Sequence, residues 1–334
     1  MEINFLQTIW FSLIIVLLIG YAILDGFDLG IAILEPFLSK SYDDTRVLYS
    51  SIGPFWDGNE VWLLTAGGAL FAAFPTAYAT IFSGFYIALM LVLFALIFRA
   101  VSLEFWLHDK DSNKKIWKKT FTFGSLIPSL LYGVAIGNLI QGLPLNANMD
   151  YEGGLIGLLR PFPLIAGVFG LILIINHGAL YATLKTENEL NLRSRKISRI
   201  LSISTLFLFV VTSISYSLLS TTRDANVWVY PILCLAFVLL NAEIFLIHRK
   251  KELAAFITSS IFIATIWIAI AINNFPYIVK STSDFSNSLH IAKIASSNLT
   301  LTVMLIIAAI GVPMVLGYTF LVYRLFKGKV RLNK

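Results

Sequence analysis

Long apolar stretches separated by short polar ones are the dominant pattern of this chain. A membrane-crossing helix needs about 20 mostly apolar residues. Nine segments approach or meet that length: roughly 8–34, 56–74, 76–98, 120–142, 161–184, 198–220, 227–247, 254–275 and 298–323. The pattern predicts an all-α, polytopic membrane protein, with residues 1–334 forming a single transmembrane domain. The segment 56–74 is short because Pro54 and Pro75 bracket it, and proline tends to end a helix at the preceding residue. Pro128, Pro231 and Pro313 fall inside or near the start of helices, where neighbouring helices in a membrane can satisfy the freed backbone groups.

Charge orders these segments. Of the 25 Lys and Arg residues, only Arg160, Arg223, Lys280 and Lys293 fall in the even-numbered loops. The other 21 lie in the odd-numbered loops and the C-terminal tail, among them Lys40, Lys110, Lys118, Arg193, Lys250 and Lys334. By the positive-inside rule the basic side is cytoplasmic, which places the N-terminus outside and the C-terminus inside. The net charge of +6 is thereby explained by topology and does not require a nucleic-acid partner. The start, Met1-Glu2-Ile3-Asn4, has no basic run and no small-residue cleavage site after it, so the first helix is expected to be retained.

Composition agrees. Hydrophobic residues make up 57% of the chain and charged residues 13%, with a mean hydropathy of +0.81. A soluble domain is about 45–50% apolar and about 25% charged. The single cysteine, Cys234, allows no disulfide within the chain. No glycine-rich phosphate loop, zinc-type cysteine spacing or serine-nucleophile elbow is present, which argues against ATP hydrolysis.

The candidate chemistry lies in acids placed at membrane depth, where each ionisable group costs about 2.5–3.5 kcal/mol to insert. Leu24-Asp25-Gly26-Phe27-Asp28-Leu29-Gly30 closes the first apolar segment, and Phe55-Trp56-Asp57-Gly58-Asn59-Glu60-Val61-Trp62 opens the second. Asp25 and Asp28 share a helical face at i, i+3, and Asp57 and Glu60 repeat that spacing. Both pairs flank the same basic-side loop, so four carboxyl groups converge there and are suited to carrying protons. A second reading stays open for Asp57 and Glu60, since acids favour a helix N-terminus. For Asp25 or Asp28 the rival is structural pairing with Arg99. Gly26 and Gly30 form a small-xxx-small pair for close helix approach.

Arg99 and Glu104 lie at the basic-side boundary of the third segment, either with Arg99 snorkelling at the interface and Glu104 exposed to solvent or with a role at a proton entrance. Glu243 is expected to pair with the basic end near His248. His177 has no second histidine at its depth to complete a haem ligand pair and reads as a packing or hydrogen-bonding residue. Trp10, Trp117 and Trp228 fit interfacial belts. Trp62 precedes a run of small residues, Thr65-Ala66-Gly67-Gly68-Ala69, suited to tight packing or to a narrow apolar passage.

Gly53-Pro54-Phe55-Trp56-Asp57-Gly58-Asn59-Glu60-Val61-Trp62-Leu63, continued by Ala69-Leu70-Phe71-Ala72-Ala73-Phe74-Pro75, resembles the signature of subunit II of the cytochrome bd quinol oxidases. The first-helix motif Leu24–Gly30, Phe82-Ser83-Gly84-Phe85-Tyr86, Phe98-Arg99-Ala100-Val101, Gly137-Asn138-Leu139-Ile140-Gln141-Gly142 and His177-Gly178-Ala179 are similar to that family as well. The resemblance implies two four-helix bundles plus one helix, with no haem on this chain. It implies a partner, subunit I, holding haem b, haem d and the quinol site, and allows a small accessory subunit beside the membrane lipids. The complex would oxidise quinol, reduce oxygen to water and sit in the bacterial cytoplasmic membrane. Asp25, Asp57 and Glu104 match positions of the family's cytoplasmic proton path, although some members carry aspartate where Glu104 stands. Trp62 matches a tryptophan beside an oxygen passage. Asp28 and Glu60 join the proton path by spacing alone, and Arg99 is assigned structural ion pairing. A proton-coupled secondary transporter would also bury acids among broken helices. It should show them in both halves of the chain, whereas here they crowd into the first two segments.

Overall fold

The computed structural model describes residues 2–108, 114–219 and 226–332. Lys110, Arg223 and Lys334 lie outside the described residues, as does the side chain of His108.

Among the described residues thirteen α-helices and two short strands follow one another: α1 Phe5–Leu38, α2 Tyr42–Ile52, α3 Trp56–Ala73, α4 Pro75–Gly84, α5 Tyr86–His108, α6 Lys114–Gln141, α7 Gly154–Gly157, α8 Pro161–Lys185, α9 Asn188–Leu219, α10 Val229–His248, α11 Glu252–Asn274, β1 Tyr277–Val279, β2 Leu289–His290, α12 Ile291–Ile294 and α13 Asn298–Leu325. Eight of the helices (α1, α5, α6, α8, α9, α10, α11 and α13) are long and apolar enough to cross a membrane. The chain is thus an all-α, polytopic membrane protein.

Local chemistry sets the ends. Asn4 caps α1 in a capping box with Gln7, each side chain serving the other's backbone. Ser41 caps α2 through Asp44 N–H, and Ser297 caps α13 through Thr300 N–H. Pro75 and Pro161 stand in the first turns of α4 and α8, where a missing N–H costs nothing. Gly142 ends α6 at φ +88°, a backbone region that side chains disfavour.

The segment expected as one helix over 76–98 is two. It breaks between α4 and α5 at Gly84-Phe85, where the Tyr151 ring lies so close that a Cβ on Gly84 would sit 2.9 Å from the Tyr151 Cβ. Helix α3 has 18 residues and falls short of the eight in apolar character because its first turns carry Asp57, Asn59 and Glu60. It nevertheless joins the two ends of the molecule. At its start Phe55 stacks on Tyr323 near the C-terminus. At its finish Ala73 O accepts from Ser296 N at 2.9 Å, beside the start of α13.

The loops gather at these two ends. At one, Asn4 bonds Asn298 at 2.9 Å, Thr80 donates to Met149 O at 2.9 Å, and Leu143 N donates to Lys280 O at 3.0 Å. The antiparallel β1–β2 pair, with Tyr277 opposite His290, closes this end. At the other, Arg193 pairs with Asp44 at 2.6 Å, Lys118 with Glu35 at 2.7 Å, and Val330 N donates to Lys185 O at 2.9 Å. This second end carries the basic loops.

Helix α8 is the centre, packed against α1, α6 and α9. More than half of its apolar window, 56%, is buried in the chain, against 6% for α13, which touches only α1 and α3 closely. Trp10 is not a belt residue: it is 4% exposed and donates Nε1–H to Leu301 O at 2.9 Å, tying α1 to α13. Gly30, not Gly26, makes the close helix approach. A Cβ on Gly30 would lie 2.8 Å from the Gly178 Cα, so α1 and α8 cross backbone to backbone there. At Gly26 the nearest atom would be His177 Cδ2 at 3.9 Å, an ordinary contact.

Candidate functional site

The strongest polar centre is built by three helices around Arg99 on α5. Its Nη2 meets Asp25 Oδ1 at 2.5 Å and its Nη1 meets Asp25 Oδ2 at 3.2 Å, a two-pronged pairing with α1. The same Nη1 reaches Glu60 Oε1 on α3 at 2.5 Å. Arg99 is 1% exposed and Asp25 0%. The snorkelling reading of Arg99 is therefore replaced by full burial, and pairing with Asp25 is what makes that burial tolerable. Gly124 on α6 permits the approach: a Cβ there would lie 2.9 Å from Arg99 N and 2.7 Å from Ala95 O.

Asp28, one turn along α1, is also fully buried. Its Oδ2 accepts from Asn59 Nδ2 at 2.7 Å, and its Oδ1 has no partner. Asn59 bonds Leu24 O at 3.2 Å as well and accepts from the Tyr323 hydroxyl of α13 at 3.3 Å. Close by, the Tyr21 hydroxyl of α1 donates to that of Tyr132 on α6 at 3.0 Å. One guanidinium thus faces three carboxyl groups. If all three were ionised, two negative charges would remain uncompensated, so this cluster is chemically suited to gaining and losing protons.

The structure separates the other candidates. Asp57 is exposed in the first turn of α3, close enough to act on Glu60 electrostatically but not bonded into the cluster. Glu104 is exposed on α5. Trp62 is half-buried and lies flat on Gly20 of α1, where any Cβ would overlap its indole ring.

One buried acid escaped the sequence reading, and another was given the wrong partner. Glu35 on α1 takes Lys118 Nζ at 2.7 Å and the Thr45 hydroxyl at 2.7 Å, while its Oε2 has no partner. The signal was present: Glu35 stands seven residues after Asp28, two turns along the same face. Glu243 does not pair with the His248 end. It is 0% exposed and accepts from Asn176 Nδ2 at 2.8 Å and the Ser202 hydroxyl at 2.7 Å, while His248 Nδ1 meets Ile244 O of its own helix.

Haem does not fit on the buried histidine. His177 Nε2 meets Ile23 O at 3.1 Å and its Nδ1 meets Ser259 Oγ at 3.0 Å, so both ring nitrogens are engaged. Among the described residues no group of three or more His, Cys, Asp or Glu side chains is placed to hold a metal ion.

These features define a polytopic membrane protein with a buried carboxylate–guanidinium centre near its basic end. The family model described as cytochrome bd terminal oxidase subunit II matches residues 6–326, and the chain belongs to that family. It is 38% identical to the "Probable cytochrome oxidase subunit 2" of Haemophilus influenzae, over 99% of this chain and 96% of that one. It is 37% identical to the "Cytochrome bd-I ubiquinol oxidase subunit 2" of Escherichia coli, over 97% and 95%. With the "Cytochrome bd ubiquinol oxidase subunit 2" of Bacillus subtilis the identity is 34%, over 97% of both chains. A chain in the structure of bd oxidase from Geobacillus thermodenitrificans shares the fold, with a TM-score of 0.80 at 16% identity, covering 97% of this chain and 99% of that one.

Proposed function

We propose that this chain is the haem-free subunit II of a cytochrome bd-type terminal oxidase, assembled in the membrane with a haem-bearing subunit I. The complex oxidises quinol and reduces oxygen to water, with the haems and the quinol site on subunit I. Family membership over nearly the whole chain supports this, as does the use of both His177 ring nitrogens by the protein itself. It also disfavours the secondary-transporter reading.

The chain's own part is to move protons from the basic end, read as cytoplasmic. Asp57 and Glu104 stand exposed at the entrance, Glu60 is half-exposed behind Asp57, and Asp25 and Asp28 are buried beyond it. The observation that carries this reading is the single Arg99 cation held among Asp25, Glu60 and Asp28. Arg99 keeps part of the charge in place, and the excess carboxyl groups hold the moving protons. Trp62, resting on Gly20, lines the oxygen approach. The N-terminus lies outside and the C-terminus inside, with α3 as a ninth crossing. Helices α1, α3, α5 and α6 form one bundle, α8 to α11 the other, and α13 stands apart.

The test is Asp57→Asn in the assembled complex. Oxygen consumption with quinol should slow while haem content stays intact. Unchanged turnover removes Asp57 from the path, and a complex that copurifies without any haem-bearing chain removes the oxidase assignment.

A further inference from the structure

A buried acid also lies in the other half of the molecule, and its surroundings are unlike those of Asp25. Glu243 on α10 is fully buried, and among the described residues no cation pairs with it. From each helix packed around it come neutral groups only: Asn176 and His177 from α8, Ser202 from α9 and Ser259 from α11. One carboxyl oxygen takes two hydrogen bonds, and Oε2 takes none. A carboxylate in such a place is costly, whereas the neutral acid is not.

Ser202 belongs to a file. Asn191, Ser194, Ser198, Ser202 and Thr205 are all buried along one face of α9. Ser194 and Ser198 use their protons on their own helix, at Leu190 O (2.8 Å) and Arg195 O (3.0 Å), and keep their oxygen lone pairs free to accept. Serines four apart stand about 6 Å apart along the axis, farther than one water reaches with two hydrogen bonds of about 2.8 Å, so each gap takes a pair of waters bonded to each other and to the hydroxyls. The file begins at the basic end, where Asn191 and Arg195 hold Glu252 at 3.1 Å and 2.5 Å and both ion-pair partners are partly exposed.

We propose that Glu243 is a second proton-holding site, separate from the Arg99 centre and filled from the basic end through Ser194, Ser198 and Ser202. A proton from water at Glu252 passes along bridging waters and hydroxyls, each oxygen gaining one O–H bond and releasing another. The chain ends with an O–H bond at Glu243. This goes beyond the Asp57 route and does not depend on it.

Infrared spectroscopy of the complete oxidase complex tests it. The carbonyl-stretch band of a protonated carboxylic acid should be lost in Glu243→Gln at unchanged haem content. In the native complex that band should shift on transfer to heavy water, and in Ser198→Val, whose bulk fills the gap, the shift should slow markedly. If Glu243→Gln does not assemble, Glu243→Asp assigns the band by displacing it. The proposal is overturned if neither substitution alters any protonated-acid band. It is equally overturned if exchange in Ser198→Val matches the native rate, which would reduce the serine file to helix packing. Both readings are made at equilibrium without turnover, so their failure is distinct from failure of the Asp57 test.

Discussion

Replacing Arg99 by leucine removes the one cation that, among the described residues, is bonded to Asp25, whose two oxygens both end on that guanidinium. Asp25 is 0% exposed, so water cannot take over. Breaking a buried pair from one side costs about 3–5 kcal/mol. Asp25→Asn is milder, because Arg99 keeps Glu60 at 2.5 Å, and the loss is that of one charged hydrogen-bonded partner, about 1.5–3 kcal/mol. In the double variant Arg99→Leu/Asp25→Asn the charge of Asp25 goes together with its partner's, Asp28 keeps its bond to Asn59, and Glu60, 23% exposed, can be hydrated. The double variant should therefore be more stable than Arg99→Leu alone, a reversal that no additive scheme yields. The assay is thermal unfolding of the assembled complex, followed by haem absorption and by retention of both subunits. Effects that add to within about 0.5 kcal/mol would mean that the two groups are not coupled, and the reasoning about the centre would fail.

Other outcomes follow from the same geometry. Gly30→Ala should impair assembly, because the new Cβ meets the Gly178 Cα at 2.8 Å. Overpacking of this kind costs about 1–3 kcal/mol, and subunit yield in membranes reads it, with Gly26→Ala as the tolerated control. Lys118→Met should strand Glu35, which is bonded to Lys118 and Thr45 and fully buried, and a lowered thermal midpoint measures the loss. In the loop before α13, burial holds the His290 imidazole below its ordinary value of 6.5, and its Nδ1 accepts from Ala292 N at 3.1 Å. The neutral ring is the bonded form, so its contribution is present above pH 6.5 and is lost as pH falls through the lower folded value. Hydrogen exchange at the Ala292 amide should quicken on that acid side, and His290→Asn, which also caps, should remove the pH dependence.

Much of the protein was legible in its sequence because a bilayer imposes local rules. Apolar length marks a crossing, basic loops mark one side, and an acid in an apolar helix stands out wherever it occurs. The i, i+3 spacing put Asp25 with Asp28, and Asp57 with Glu60, because helical faces repeat over short distances. The same locality hid the rest. Arg99 is 74 positions from Asp25, and only the crossing of α5 with α6 at Gly124 brings its guanidinium to α1 and α3. At the break at Gly84-Phe85 the close neighbour is Tyr151, from a loop 67 positions further on, which local spacing does not report. Glu243 lies 67 positions from Asn176 and 41 from Ser202; its spacing from His248 was local and misleading. Short-range periodicity reports which side a residue faces. Which residue it faces there depends on helices that meet only after the chain has folded, and that was decided by the tertiary structure alone.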